Sequence, residues 1–429
     1  MARIKMLSSA AILTRIPTGW IDRGLNLVGP LGLAGSNFLL ALVLVPAMSQ
    51  ADYGFFAFCV TLANFGYGIT NATTATPLSI ILNQGDDSGH ASTYWALYKV
   101  NLLSSLVVGL AILSAGLAFG VGWRGAVVLA LFGAVGALRW FRRAYEYATG
   151  RPRNSAWSDV TCSAVILLGT AIIFFSKTAS LEAAGGVLLA AMISGTIILE
   201  ANGRRTSFAF SEFWSYPISA YRTVWRDQSA WSLLGVLTTE LTVNGHTYIV
   251  TFLAGPAAFA PIAVASLVWR PISTIFTSLM LAERPKMAKA LAVGDEEGAK
   301  KILRQFQLIA FGVVGLNALI VLAAWIFMGD VWNTTSFQAS YVNMAIVLYF
   351  VFVCIRSVRV PLSVFVQAGR QFRALAHTSL LAAPVTLLIA AILTVAVDPI
   401  TSIAGIICGE LVMTFGVWRL AKGIKSVQA

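Results

Sequence analysis

Five ionisable side chains stand deep inside long apolar segments of the sequence, where a charge is costly to keep. Glu240 and Arg270 lie in two successive segments, Arg356 and Arg359 share a later one, and Glu410 lies in the last. A charge at the bilayer centre costs about 2.5 to 3.5 kcal/mol on insertion scales, so it needs a partner, a hydrated cavity or a function. These five residues are therefore the first candidates for chemistry.

The arginines offer a site for anions. A guanidinium stays charged and donates forked hydrogen bonds to phosphate oxygens, so Arg270, Arg356 and Arg359 are predicted to line a cavity that binds an anionic substrate. Arg23, which opens the first apolar segment, would lie at the cavity entrance. The alternative is that Arg270 forms a buried pair with Glu240, that the other two arginines extend to lipid headgroups, and that Arg23 is an ordinary anchor.

The carboxylates offer a different chemistry. Glu240, with Asn244 one turn further on the same helix face, and Glu410 are candidates for a proton or sodium site, although Glu240 can equally serve in a salt bridge. Asn37 in the first segment faces either the cavity or a neighbouring helix. The sequence contains no metal-ligand spacing, nucleophile elbow or nucleotide-binding loop, so no cofactor, metal or catalytic residue is expected and the chain is not predicted to be an enzyme.

Composition shows which elements must position these residues. Of the 429 residues 58% are hydrophobic and 11% are charged, whereas soluble domains carry about 25% charged residues. Apolar runs of about 20 residues recur along the chain, too long for porin strands, so they are predicted to be membrane-spanning helices. The net charge of +12 comes from short clusters at helix ends, which favours membrane lipids rather than nucleic acid as partners.

The sequence predicts an all-α polytopic membrane protein of about twelve transmembrane helices in two six-helix bundles around a central cavity. The predicted spans are Gly24–Ala47, Phe55–Thr76, Val100–Phe119, Trp123–Phe141, Trp157–Ser176, Leu181–Glu200, Ala230–Leu253, Phe259–Met280, Phe306–Met328, Tyr341–Val366, Leu375–Val397 and Ile400–Leu420.

The distribution of basic residues sets the orientation. With both termini cytoplasmic, 25 of the 30 Lys and Arg residues fall on the inside, three lie within spans, and only Arg124 and Lys177 lie outside. This agrees with the positive-inside rule and with an even number of spans. The basic cluster from Arg139 to Arg143 is predicted to attract anionic headgroups at the inner surface.

Three parts follow from this order: residues 1–200, a six-helix bundle with an amphipathic cytoplasmic N-terminus; residues 201–229, a cytoplasmic linker rich in aromatic and basic residues; and residues 230–429, a second six-helix bundle. A weak internal repeat, DYGFFAFCVTLANF with TATPL against AFAPIAVASLVWRP with ERPKM, supports two halves. Substrates of repeat-built transporters bind near the midplane where the halves meet.

Three stretches carry a family resemblance: ADYGFFAFCVTLANFGYGI, RWFRRAYEYATGRPR, and the long run that begins GPAAFAPIAVASLVWRPISTIF. In type and order they resemble the polysaccharide-transporter branch of the multidrug/oligosaccharidyl-lipid/polysaccharide (MOP) exporter superfamily, over essentially the whole chain. The resemblance implies a Wzx-type flippase that moves a polyprenyl-diphosphate-linked oligosaccharide from the cytoplasmic to the periplasmic leaflet of a bacterial inner membrane. It implies roles in surface or exopolysaccharide synthesis, with polymerase and export proteins as partners.

Two other functions stay open. A drug or cation antiporter of the same superfamily would use the buried carboxylates, although three arginines within spans against two clear acids disfavour it. A non-transporting scaffold of a polysaccharide assembly complex would have no use for the arginines within the membrane. A membrane enzyme acting on the same lipids is disfavoured because the predicted outside loops are short.

Overall fold

The computed structural model describes residues 18–82, 90–202, 210–327 and 339–424, and these residues form helices joined by short turns, with no β-strand among them. Twelve long helices follow one another: α1 Thr18–Leu44, α2 Gln50–Thr70, α3 His90–Ala118, α4 Trp123–Ala148, α5 Pro152–Ser176, α6 Leu181–Asn202, α7 Ala230–Ala254, α8 Pro256–Ala292, α9 Glu296–Phe327, α10 Ala339–Ala368, α11 Phe372–Ala396 and α12 Ile403–Lys422. The predicted all-helical fold is confirmed.

Nine of the helices in the described ranges are long and apolar enough to cross a membrane. The three that fall short are α1, whose described apolar part is Gly29–Leu44, together with α2 and α7. Helix α7 is less apolar because it carries Glu240, Asn244 and several threonines. The chain is therefore a multi-pass membrane protein whose more polar helices include the two that meet between its halves.

The helices differ from the predicted spans mainly at the ends assigned to the cytoplasm. Helix α3 begins ten residues earlier, at His90, and α9 begins ten residues earlier, at Glu296. Helix α4 ends seven residues later, at Ala148, and α8 ends twelve residues later, at Ala292. Hydropathy marks only the part of a helix that lies in lipid, whereas polar helix-forming residues extend the helix into water.

The packing of the helices repeats after six. Within α1–α6 the main contacts are α1 with α5, α2 with α3 and α4, α3 with α4, and α6 with α4 and α5. Each of these pairs has its counterpart six helices later, from α7 with α11 to α12 with α10 and α11. The two six-helix bundles predicted from the sequence are therefore present, and they share one internal arrangement.

The bundles meet where α2 packs against α7 and α8, a contact we call the bundle interface. A Cβ atom on Gly54 would lie only 1.8 Å from the carbonyl oxygen of Pro256, so only glycine permits this approach of α2 to α8. Next to it, the ring of Phe58 lies 6.2 Å from that of Tyr248 and 5.7 Å from that of Phe252. Edge-to-face aromatic packing thus joins α2 to α7.

Two π-helical turns meet at the predicted inner end of this interface. Helix α2 continues through the π turn Asn71–Ala75 into the short helix Thr76–Ile81, and a second π turn, Trp225–Ser229, leads into α7. The Tyr221 hydroxyl and the Ser229 hydroxyl each donate to the Thr73 carbonyl oxygen at 2.9 Å. The linker is therefore fastened to α2 immediately before the second bundle begins.

The described part of the linker also lies against α3. The ring of Phe213 packs 5.6 Å from Trp95, and Lys99 Nζ donates to the Tyr216 carbonyl oxygen at 2.6 Å. Trp214 is 83% exposed, as expected of an aromatic side chain at a membrane surface.

The basic cluster of α4 is not at the lipid surface, so its predicted role as a headgroup anchor is wrong for its two most buried arginines. Arg139 is 2% exposed and forms an ion pair with Asp159, and Arg143 contacts the same carboxylate at 3.0 Å. Arg142 is 5% exposed and lies 2.6 Å from a Glu200 carboxylate oxygen. The buried Asp159 on α5 and the more exposed Glu200 on α6 hold these guanidinium groups inside the bundle.

Candidate functional site

The Glu240 carboxylate lies on the face of α7 that is turned toward α2. Its Oε1 atom accepts hydrogen bonds from Asn244 Nδ2 at 3.0 Å and from the Tyr248 hydroxyl at 2.6 Å. These three residues are spaced four apart and therefore share one helix face. Among the described residues no Lys, Arg or His pairs with Glu240, so only neutral donors hold this carboxylate.

Tyr248 connects this carboxylate to the other bundle. Its ring lies 6.2 Å from that of Phe58 and 6.1 Å from that of Phe65, both on α2. A change in the charge of Glu240 alters its hydrogen bond with Tyr248, and the ring of Tyr248 is part of the bundle interface. The geometry therefore links an ionisable group to the bundle interface.

Arg270 lies on α8, half-buried at the same interface. Tyr53 of α2 and Tyr349 of α10 lie near its guanidinium. The pair with Glu240 that the alternative interpretation required is not formed, because the Glu240 carboxylate is engaged by its own helix on the face toward α2. Within the described ranges, no acidic side chain pairs with Arg270.

Tyr349 joins this region to the interior of the second bundle. Its hydroxyl lies 2.8 Å from His246 Nε2, and His246 is 2% exposed. His246 therefore packs in the core, on the side of α7 that faces α10 rather than the side that carries Glu240.

The two arginines of α10 have different environments. Arg359 forms an ion pair with Glu410 of α12, and its Nη1 also lies 3.4 Å from the Ser363 hydroxyl. Arg356 lies over the ring of Phe352 at 5.7 Å, and its buried Nε finds no hydrogen-bond partner in the described residues. Neither interpretation of the sequence predicted the ion pair between Arg359 and Glu410, which lies inside the second bundle.

The structure shows less about the two remaining candidates, Asn37 and Arg23. The Asn37 amide donates to the Leu33 carbonyl oxygen of its own helix at 2.7 Å, rather than to a neighbouring helix. The Arg23 side chain lies outside the described residues, so its role at a cavity entrance stays a prediction, as do the cavity roles of Arg270, Arg356 and Arg359.

Two side chains that bind the charged groups described above were not identified from the sequence: Tyr248, which contacts Glu240, and Asp159, which pairs with Arg139 and Arg143. Tyr248 follows Glu240 and Asn244 at the same four-residue spacing, so the helix period alone could have identified it. Asp159 stands in the first turns of α5, where it reads as a helix-end residue, and only the packing of α4 against α5 shows that it is buried.

This arrangement of side chains can bind ions and exchange protons. A carboxylate held by neutral donors can take up a proton or a cation, and an arginine without a carboxylate partner can receive an anion. Both groups lie at the bundle interface, where transporters built from repeats place their substrates.

Comparison with known proteins gives matches in structure only. No family model matches the chain, and no curated protein matches it in sequence. An inward-facing multidrug resistance MATE family transporter of the MOP superfamily has a TM-score of 0.64 at 14% identity, covering 90% of this chain and 94% of its own. The eukaryotic MATE transporter AtDTX14 has a TM-score of 0.61 at 15% identity, covering 94% and 96%.

A third similar structure differs in the character of its site. It is a MOP superfamily transporter from Pyrococcus furiosus, described as having a binding pocket of reverse polarity that suggests a different function. Its TM-score is 0.54 at 15% identity, and the match covers 93% of this chain and 95% of that chain.

These matches are in architecture, and they do not distinguish the polysaccharide branch of the resemblance from the drug or cation antiporter. The similar structures are transporters rather than enzymes. At such identities they establish the architecture alone: this chain has the two-bundle fold of the MATE transporters of the MOP superfamily.

Proposed function

We propose that this chain is an ion-coupled exporter that works by alternating access at the bundle interface, with Glu240 as the coupling carboxylate. The observation that carries the proposal is the environment of Glu240: its Oε1 accepts from Asn244 and Tyr248, both neutral, and no described cation pairs with it. A membrane-embedded carboxylate in this state exchanges a proton or binds a cation.

The coupling follows from the donors. An ionised Glu240 accepts both hydrogen bonds, whereas a protonated one carries its own proton and accepts less strongly. The Tyr248 hydroxyl therefore holds its ring in place most firmly when Glu240 is charged. Since that ring packs on Phe58 and Phe65, the protonation of Glu240 biases the contact between α2 and α7.

The first candidate substrate is a drug-like organic cation, exchanged for protons or sodium. The fold favours it, because the similar structures include a multidrug resistance transporter. In this mechanism the substrate cation and the coupling ion bind alternately to the negative charge of Glu240.

The second candidate is the flipping of a polyprenyl-diphosphate-linked oligosaccharide to the periplasmic leaflet. Arg270 favours it, because this half-buried guanidinium at the interface has no carboxylate partner among the described residues and can bind a diphosphate with forked hydrogen bonds. A negative cell interior assists outward movement of such a headgroup by about 2.3 kcal/mol per charge per 100 mV.

The first experiment tests coupling. The purified protein is reconstituted in vesicles that contain a pH-sensitive dye, and proton movement is recorded on addition of ethidium, with and without sodium. Glu240→Gln keeps the shape and the hydrogen-bonding capacity of the side chain but removes its charge, so we expect coupled flux to be lost. The matched control is Glu182→Gln, in the first turn of α6, the last helix of the first bundle. Coupled flux that persists in Glu240→Gln would overturn the proposal.

The second experiment separates the substrates in cells that lack the protein. Accumulation of a lipid-linked oligosaccharide, reversed by the wild type but not by Arg270→Ala, would establish the flippase. Sensitivity to cationic drugs, reversed by the wild type and by Arg270→Ala but not by Glu240→Gln, would establish the antiporter.

A further inference from the structure

A groove on the lipid-facing side of the first bundle lies far from the bundle interface. It has a volume of about 390 Å³ and lies between α4, which contributes Val135, and α6, which contributes Ile193, Thr196, Ile197, Glu200 and Ala201. Its surface is apolar over most of its length, and Ile193 and Ile197 are 43% and 59% exposed. At its inner end stands one carboxylate, that of Glu200.

The position of Glu200 is unusual for this chain. Helix α6 ends at Asn202, so Glu200 lies in its last turn, at the level of the cytoplasmic headgroups in the predicted topology. The predicted inner ends of the helices are otherwise rich in Lys and Arg. The Glu200 side chain is 58% exposed, although one of its oxygens lies 2.6 Å from Arg142 Nε behind it.

Among the described residues, Glu200 belongs to a chain of ion pairs whose charges balance. Arg142 and Arg151 are cationic, Glu146 and Glu200 are anionic, and each Arg contacts at least one of these two acids within 4.0 Å. An anionic headgroup would therefore meet a neutral ion-pair cluster whose most exposed member is the Glu200 carboxylate, at 58% against 31% for Arg151. A headgroup that carries an ammonium group as well as its phosphate would be attracted by that carboxylate and would add no net charge.

We propose that this groove is a binding site for a phospholipid with a primary ammonium headgroup, such as phosphatidylethanolamine. One acyl chain lies along Val135, Ile193 and Ile197, and the ammonium group donates a hydrogen bond to the exposed oxygen of Glu200. The site is independent of the transported substrate, since none of its residues lies at the bundle interface.

Native mass spectrometry of the purified full-length protein tests the site. The protein is released from nanodiscs that contain equal amounts of phosphatidylethanolamine, phosphatidylcholine and phosphatidylglycerol. Phosphatidylcholine has the same charges but no N–H donor, and phosphatidylglycerol has no ammonium group. We expect the wild type to retain phosphatidylethanolamine in preference to both, and Glu200→Gln to lose that preference by about tenfold, the worth of one charge-assisted hydrogen bond.

Two further variants keep the test decisive if Glu200→Gln fails to fold because Arg142 loses its partner. Ile197→Trp fills the groove and leaves the Glu200 contact in place, so it should also abolish retention of the lipid. Leu168→Trp adds the same ring at a position on α5 that is 66% exposed and outside the groove, and it should retain the lipid. Equal retention of the three lipids by the wild type, or a preference that survives Ile197→Trp, would overturn the proposal.

Discussion

The arginines of α4 and those of α10 occupy corresponding places in the two bundles but have different surroundings. Arg139 stands eleven residues before Gly150, the positive-φ residue after α4, and Arg359 stands eleven residues before Arg370, the positive-φ residue after α10. Arg139 shares Asp159 with Arg143, so each guanidinium group has a carboxylate partner. Arg359 has Glu410, but Arg356 on the same helix face has no carboxylate within ion-pair distance among the described residues.

In the first bundle the buried charges form a structural network of ion pairs, whereas in the second bundle several charges have no partner of opposite sign among the described residues. The first bundle pairs its buried arginines with nearby acids, and these ion pairs join α4 to α5 and α6. The second bundle carries Arg270 and Arg356 without carboxylate partners, and Glu240 without a cation, in the part of the chain that the structure describes. Unpaired charges are costly in a membrane, so under the proposed function we expect the second bundle to bind the substrate and the ion.

The largest expected effect is on folding. Asp159→Asn leaves two guanidinium groups without their shared carboxylate, and breaking a buried pair costs about 3 to 5 kcal/mol. Glu410→Gln should cost less, because the Arg359 side chain is 14% exposed whereas that of Arg139 is 2% exposed. Melting temperatures in detergent measure both. A Glu410→Gln protein that melts below Asp159→Asn would contradict the contrast between the bundles.

The next effect is on transport. Arg270→Gln breaks no ion pair with a described residue, so its melting temperature should stay close to that of the wild type. If the substrate is anionic, transport should fall by about thirtyfold, equivalent to the roughly 2 kcal/mol lost with one buried charged contact. Arg139→Gln should show the opposite, a lower melting temperature with transport lost only in proportion to folded protein. Similar melting losses in both variants would remove the distinction.

A smaller effect tests the link between Glu240 and the interface. Tyr248→Phe removes the 2.6 Å hydrogen bond but keeps the ring against Phe58. Coupled transport in vesicles should fall by about tenfold, as expected for one hydrogen bond to a charged group. Tyr349→Phe, which removes the bond to His246 inside the second bundle, is the matched control for loss of a tyrosine hydroxyl. Equal losses in both variants would argue that Glu240 has no special coupling to the interface.

The smallest effect is at the joint between the linker and α2. Ser229→Ala removes one of the two hydrogen bonds on the Thr73 carbonyl oxygen and leaves that of Tyr221. The free energy of unfolding should fall by about 1 kcal/mol or less. The Ser229→Ala, Tyr221→Phe double variant should lose more than the sum of the single variants, because it alone leaves this carbonyl without either donor. Additive losses in thermal unfolding would show that the two bonds act independently.

The architecture was largely predictable from the sequence. Apolar runs of membrane-spanning length locate the helices, and the alternation of basic loops fixes their even number, because both signals depend on residues near one another in the chain. The inner ends of α3, α4, α8 and α9 were not predictable from hydropathy, because those helices continue into water. The candidate site was predicted only as a set of residues, Glu240, Arg270, Arg356, Arg359 and Glu410.

The sequence by itself determined that the chain spans the membrane, that it folds as two helical bundles, and that certain charges lie inside the bilayer. Only the tertiary structure decided which of those charges neutralise one another. Glu240 and Arg270, in successive helices, do not pair, whereas Arg359 and Glu410, fifty-one residues apart, do. The physical reason is that helix period and hydropathy fix depth and face along one helix, while an ion pair depends on the rotation and packing of two helices against each other.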